Sequence, residues 1–235
     1  KKLALEKKVK PGQRVALTAG SRGVANIAVI LKAAVEYLKS IGAQPFIFPA
    51  MGSHGGAKAE GQTDLLAHYH VTEAFTGAPV LSSMEVVEIS KTSDGVPVYI
   101  DKNASQADWI IVTNRIKPHT KFKAPIESGL MKMMAIGMGK QKGAEYYHKA
   151  AIHFTFPKII VDAGWEVIKK APILCGLGMV ENGYDETAKI AAILPQEIEA
   201  KERELLVLAK EMMPRLPFNE IDLLIVDEMG KDISG

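Results

Sequence analysis

The sequence predicts a three-layer α/β domain with a largely parallel sheet and a small β-hairpin insertion. Short apolar runs of strand length alternate with stretches of helical periodicity, which is the signature of strand, helix, strand units. Glycine-rich segments leave the carboxyl ends of the first two runs, and one Asp-Gly pair interrupts the alternation where a hairpin would sit.

Each element follows in order. Arg14-Val15-Ala16-Leu17-Thr18-Ala19 is a strand that ends in Gly20-Ser21-Arg22-Gly23, and Val24 to Ile41 has the apolar spacing of a helix. Pro45 to Ala50 is the next strand, expected parallel to the first. It ends in Gly52-Ser53-His54-Gly55-Gly56-Ala57 and is followed by a helix from about Ala59 to Tyr69. Between Val80 and Ile100, short β-like runs flank Asp94-Gly95 and predict the hairpin. Asp108 to Asn114 is a buried strand that delivers Lys117-Pro118-His119, with the proline fixing the backbone before the histidine. Glu127 to Met138 is an apolar, methionine-rich helix carrying Lys132 inward. Leu174 to Val180 is a strand, Gln196 to Met213 a charged amphipathic helix, and Ile221 to Asp227 a final strand. A stop just after that strand leads us to expect further sequence beyond Gly235.

Composition narrows the function. A net charge of +2 with scattered lysines does not build the basic stripe that nucleic acid requires. No apolar run is long enough to span a bilayer, and Lys1-Lys2-Leu3 opens no signal peptide, so the expected location is cytoplasmic. The single cysteine, Cys175, excludes an internal disulfide and fits an inert core thiol.

Four residues sit in segments that a packed core does not need: His54, His119, Lys132 and His148. Imidazole both ligates metals and moves protons near neutral pH, and a lysine among such groups can anchor a cofactor covalently. The glycines around His54 allow a ligand close approach. His119 has Lys117, Lys121 and Lys123 as neighbours, so a solvated basic loop fits there too. Lys132 is either a snorkelling side chain or a buried amine of lowered pKa. His148 fits a surface helix as well as a ligand. In the first loop, Ser21 and Arg22 could hold a carboxylate or phosphate, and Ser21 as a simple helix cap fits equally. His68, His70 and His153 are read as ordinary surface residues, and Asp162, Glu166, Glu181 and Asp185 show no spacing that marks an acid pair.

The ordered set Ser21-Arg22, Gly52-Ser53-His54-Gly55-Gly56, Lys117-Pro118-His119, Lys132 and His148 resembles the nickel-pincer lactate racemase family, over nearly the whole chain. The sixteen-position spacing from Lys132 to His148 is its strongest element. The resemblance implies that Lys132 tethers a nickel-pincer nucleotide (a nickel pyridinium-3,5-bisthiocarboxylic acid mononucleotide) through a thioamide and that His148 ligates the nickel. It implies that His54 and His119 are the acid/base pair, while Ser21, Arg22, Gly52 and Ser53 bind cofactor or substrate. The chemistry implied is racemisation or epimerisation of a 2-hydroxy acid by hydride transfer, with cofactor-synthesis enzymes as partners. By the same resemblance, residues 1–235 would be the amino-terminal cofactor-binding domain, without the carboxyl-terminal one. The chain departs from the family in lacking an acidic residue beside Arg22 and in a longer, less glycine-rich stretch from His119 to Lys132. Two other readings fit the residues: a zinc hydrolase using His54, His119 and His148, and a non-catalytic anion-binding domain.

Overall fold

A computed structural model describes residues 3–218 and 220–228. In chain order the main elements are β1 (Arg14–Ala19), α1 (Ile27–Ser40), β2 (Gln44–Pro49), α2 (Ala59–His68), the short α3 (Glu73–Thr76), β3 (Val86–Lys91), β4 (Pro97–Asp101) and the short α4 (Lys102–Ser105). Then follow β5 (Trp109–Arg115), α5 (Leu130–Lys132), a π-helical turn (Met133–Gly137), α6 (Lys140–Ala150), α7 (Phe156–Lys170), β6 (Ile173–Glu181), β7 (Thr187–Ile193) and α8 (Ile198–Met212).

The five-stranded sheet has the order β2-β1-β5-β6-β7. β2, β1, β5 and β6 are parallel, with Leu17 opposite Ile47 on one side and Ile111 on the other, and only β7 runs antiparallel. The alternating pleat sends Ala16, Phe46, Phe48, Ile110 and Val112 to one face, where Ile160 and Val167 of α7 and Leu205 and Leu206 of α8 cover them. Val15, Leu17, Ile47 and Ile111 point to the other face and pack on Leu31, Val35 and Leu38 of α1. Each such side chain, fully withdrawn from water, contributes roughly 1.5–3 kcal/mol of hydrophobic stabilisation. The three layers are the predicted ones. So is the hairpin, β3 with β4, turning through Gly95 in a left-handed conformation (φ +81°).

Two boundaries differ from expectation. The first helix starts at Ile27 rather than Val24, because Asn26 takes a left-handed φ of 59°, through which a right-handed helix does not continue. The expected strand at Ile221 to Asp227 is irregular chain with exposed side chains: the sheet ends at β7, and among the described residues no strand pairs with it. The expected helix around Lys132 is shorter than its apolar run, one α-turn passing into the π-turn.

The loop after β2 is seated directly on α2. Gly55 has φ +65°, and a Cβ there would fall 2.7 Å from Gln62 N; Gly61 faces the Gly55 carbonyl as closely. Gly61→Ala is therefore expected to destabilise the fold by about 1–3 kcal/mol, the usual cost of overpacking a close contact. Urea unfolding measures it, and an unchanged midpoint would mean that α2 does not rest on this loop.

Candidate functional site

Four parallel strands end at one edge of the sheet, and the chain leaves β1 toward β2 on one side and later returns to β5 on the other. Ligands of open α/β sheets bind at such a reversal, outside the carboxyl ends of the strands. The loop after β1 carries Ser21 and Arg22, the loop after β2 carries Gly52, Ser53 and His54, and the loop after β5 carries Lys117 and His119.

The turn carrying Lys132 joins these loops. Asn114, at the end of β5, donates from Nδ2 to Gly129 O at 2.8 Å and fixes where the turn begins. Gly20 lies against Met133 so closely that a Cβ would come within 3.2 Å of the Met133 methyl. Gly52 donates its N–H to Gly137 O at 3.3 Å, and a Cβ on Gly137 would strike the Ala50 carbonyl at 2.6 Å. The π-turn thus contacts the first loop at one end and the second at the other. π-turns recur at functional sites because the extra residue redirects side chains.

Ser21 does not cap α1; its Oγ contacts Nδ1 of His54, and Tyr69 holds its carbonyl through a 3.2 Å hydrogen bond. Either atom of the Ser21 and His54 pair can be the donor. The loop after β5 closes on itself through Lys117 N–H to Ser128 O at 2.8 Å, with buried Glu127 as its internal anchor. Glu127 accepts the N–H groups of His119 (2.7 Å) and Ala124 (3.2 Å) and the Lys210 ammonium (2.6 Å). Burial alone would raise Glu127, but these donors outweigh it and hold the carboxyl below its usual value. His119 Nδ1 accepts the Lys121 N–H at 3.1 Å, which places the proton of the neutral ring on Nε2.

The electrostatics of the edge are cationic. Burial, then Arg22, lowers the Lys132 ammonium, so the bland reading of an exposed snorkelling lysine gives way to a half-buried amine. Burial and the nearby Arg115, Arg22 and Lys132, against Glu181, lower Lys117 to about 8. His119 is lowered to about 4 by burial, with Lys132 next in weight and Glu127 opposing, and is neutral at pH 7. Such a set favours an anionic occupant. Arg115 is ion-paired with Glu181, whose other oxygen takes the Ala25 N–H.

His148 stands apart. It is exposed on α6 and stacks on Phe156 (5.6 Å between centroids), Phe156 meets Phe122 (5.9 Å), and Phe122 stacks on His119 (4.1 Å). Two phenylalanines thus link the two histidines without bringing them into contact. Among the described residues no three His, Cys, Asp or Glu side chains gather closely enough to hold a metal ion, so the three-histidine zinc centre is not assembled. Cys175 is buried and pushed up to about 12 by burial, an inert thiol as expected. Among the described residues no helix is long and apolar enough to cross a membrane.

Sequence reasoning missed Arg115, Glu127 and Glu202 as parts of the site, weighed Glu181 only as an acid without a partner, and read Lys117 as one lysine of a basic loop. Lys117 was visible beside His119 and differs from its solvated neighbours only by burial, which sequence does not show. Glu202 of α8 is fully buried against the start of the Lys132 turn, where its Oε2 accepts the Met131 N–H at 2.9 Å. Burial raises Glu202 from 4.5 to about 7. Its folded-state pKa is thus above the unfolded one, so its contribution to stability is fully present below the unfolded value and is lost as pH rises through the folded one. Glu202→Gln keeps the acceptor and removes the titration. Relative to wild type, this variant should gain stability between about pH 5 and about pH 8, by an amount on the order of 2–3 kcal/mol. Denaturant unfolding across that range checks the sign, and a difference that stays flat would show that Glu202 does not titrate there.

With this geometry in view, comparison with known proteins is direct. A family model described as the lactate racemase N-terminal domain matches residues 1–155, which include Ser21, Arg22, Gly52, Ser53, His54, His119, Lys132 and His148. Among solved structures, the chain is similar to the lactate racemase apoprotein from Thermoanaerobacterium thermosaccharolyticum, with a TM-score of 0.69 and 16% identity, over 85% of this chain and 50% of that one. The chain therefore spans about half the length of that protein, and at this identity the likeness is one of fold. No curated protein matches. Since the family model covers well over half of the 235 residues, the chain belongs to the lactate racemase N-terminal domain family.

Proposed function

We propose that the protein containing this chain racemises or epimerises a 2-hydroxy acid, and that this chain is its cofactor-binding part. One observation carries the reading: the Lys132 amine, lowered by burial and by Arg22, immediately precedes a π-turn wedged between the His54 loop and the loop after β1, with His119 close enough to feel its charge.

The residues fit a nickel-pincer nucleotide. A lysine with a lowered pKa is the group that attacks an acyl carbon, so Lys132 would be the tether. The cations Arg22 and Lys117 suit a phosphate or carboxylate. A metal carried within an organic group needs few protein ligands, which agrees with His148 as one exposed imidazole rather than one of three. When bound, the group supplies a hydride acceptor and donor.

The side chains of this chain then handle protons and orientation. Arg22 would hold the substrate carboxylate. His54, with Nδ1 engaged by Ser21, would exchange the hydroxyl proton at Nε2 as the Cα hydride departs, leaving a planar 2-oxo acid. For the other stereoisomer, the planar acid would present its opposite face and its carbonyl oxygen would take a proton from His119 Nε2, which the neutral ring can give only after Nδ1 has bound a proton from solvent. For His119 to accept a proton at Nε2, its ring must give up the Lys121 N–H and move its own proton to Nδ1.

Intact mass after co-production with cofactor-synthesis enzymes tests the tether: wild type should gain the adduct and Lys132→Arg should not. An unmodified wild type would count against the reading. In His148→Ala the organic adduct should persist while nickel is lost, as elemental analysis would show. His54→Ala and His119→Ala should each slow interconversion by roughly a hundred- to ten-thousand-fold, with adduct and nickel retained. Full racemisation by both would sink the two-base assignment.

A further inference from the structure

The candidate base His54 sits on a loop whose carbonyls are held from beneath by a buried polar chain. Lys140 has no exposed surface, and its Nζ faces three acceptors: Pro49 O, Gln62 Oε1 at 3.1 Å and Asp101 Oδ2 at 3.2 Å. The contact to Asp101 is an ion pair whose angle falls outside hydrogen-bond geometry. Two acceptors thus take ammonium protons, and the Asp101 carboxylate supplies the opposite charge beside them.

The consequence lies one residue further on. A buried glutamine amide is symmetric in shape but not in chemistry, and its partners decide which end is oxygen. Because Lys140 can only donate, the Gln62 end facing it must be Oε1. Nε2 then points the other way, and its two protons go to Gly52 O at 3.0 Å and His54 O at 3.1 Å. Gln62 is itself fully buried. Those two carbonyls bracket Ser53 and fix the pitch of the loop from which the His54 ring reaches Ser21.

We infer that Lys140, acting through Gln62, is a positioning residue for His54: the Lys140 ammonium sets the orientation of the Gln62 amide, and that amide sets the His54 loop. The inference rests on the proposed function only for the role of His54 as a base; the positioning itself stands on the contacts.

The test is a spectroscopic one on the full chain. Lys140→Met combined with Asp101→Asn removes both buried charges together, so neither is left uncompensated, and an asparagine at 101 still caps the Ala104 N–H now held by Asp101 Oδ1. With Lys140 gone the Gln62 amide is free to turn over. The Gln62 side-chain protons should then exchange with solvent about tenfold faster. The His54 ring nitrogen signals should shift as the loop repositions, while amide signals from β6 and β7 stay in place. Gln62→Met, which alters no charge, should move the His54 signals in the same way and serves if the double variant does not fold. Unchanged His54 ring signals in a folded variant of either kind would overturn the inference. So would signals that move equally throughout the sheet, since that is loosening of the fold rather than positioning. Retained racemisation by His54→Ala would defeat the catalytic assignment and leave the positioning intact, so the two failures are distinguishable.

Discussion

The site depends on one steric constraint: the turn that follows Lys132 must fit between the loops after β1 and β2, its Met133 methyl against Gly20 and its backbone against Ala50 and Gly52. Gly20, Gly52 and Gly137 meet that demand, each at a place where a Cβ would press on the turn or the turn would press on the chain. With those contacts made, the π-turn has two fixed ends, and Lys132 immediately precedes the first of them. Packed interiors do not deform continuously, so a shift at any of the three glycines moves the lysine relative to both loops.

The charges follow from this geometry. Arg22, Lys117 and Lys132 converge at the edge, while each nearby acid is turned to structural use. Glu181 is held by Arg115 and the Ala25 N–H, Glu127 by three donors inside its loop, and Glu202 by the Met131 N–H beneath the turn. The edge is thus left cationic, and both Lys117 and Lys132 are lowered toward neutrality. A neutral amine is a nucleophile and an ammonium is not, so the lowering favours the reactive form, while the cations of the edge still attract an anion. The proposed acid-binding site and the proposed tether are built by the same crowding.

Much of this was legible in the sequence, for reasons that are local. Alternating apolar runs of strand and helix length specify the layers, Asp94-Gly95 specifies the hairpin, and the glycines around His54 announce a loop made for close approach. Ser21 shows the limit: a serine after a strand and before a helix looks like a cap, and only the left-handed Asn26 and the fold of the second loop reveal that it meets His54 instead. Lys140 shows it more sharply, since nothing local distinguishes it from the chain's exposed lysines, and yet it is buried. The segment Ile221 to Asp227 has the pattern of a strand, but pattern supplies no neighbour to pair with.

The supports also divide unevenly along the chain. Every side chain proposed to touch cofactor or substrate lies within residues 1–155, the part that the family model matches. The carboxylates and the cation that hold them in place come largely from beyond it: Glu181 at the end of β6, Glu202 and Lys210 on α8. α8 in particular reaches two separate features, the start of the Lys132 turn through Glu202 and the His119 loop through Lys210 and Glu127. A single helix therefore couples the proposed tether to one of the proposed bases. Since the Glu202 carboxyl is pushed up to about 7 by burial, the charge state of that helix at the tether is itself set near neutral pH. The residues proposed to react and the frame that holds them are separate stretches of sequence, joined only when β6 and α8 fold back onto the sheet.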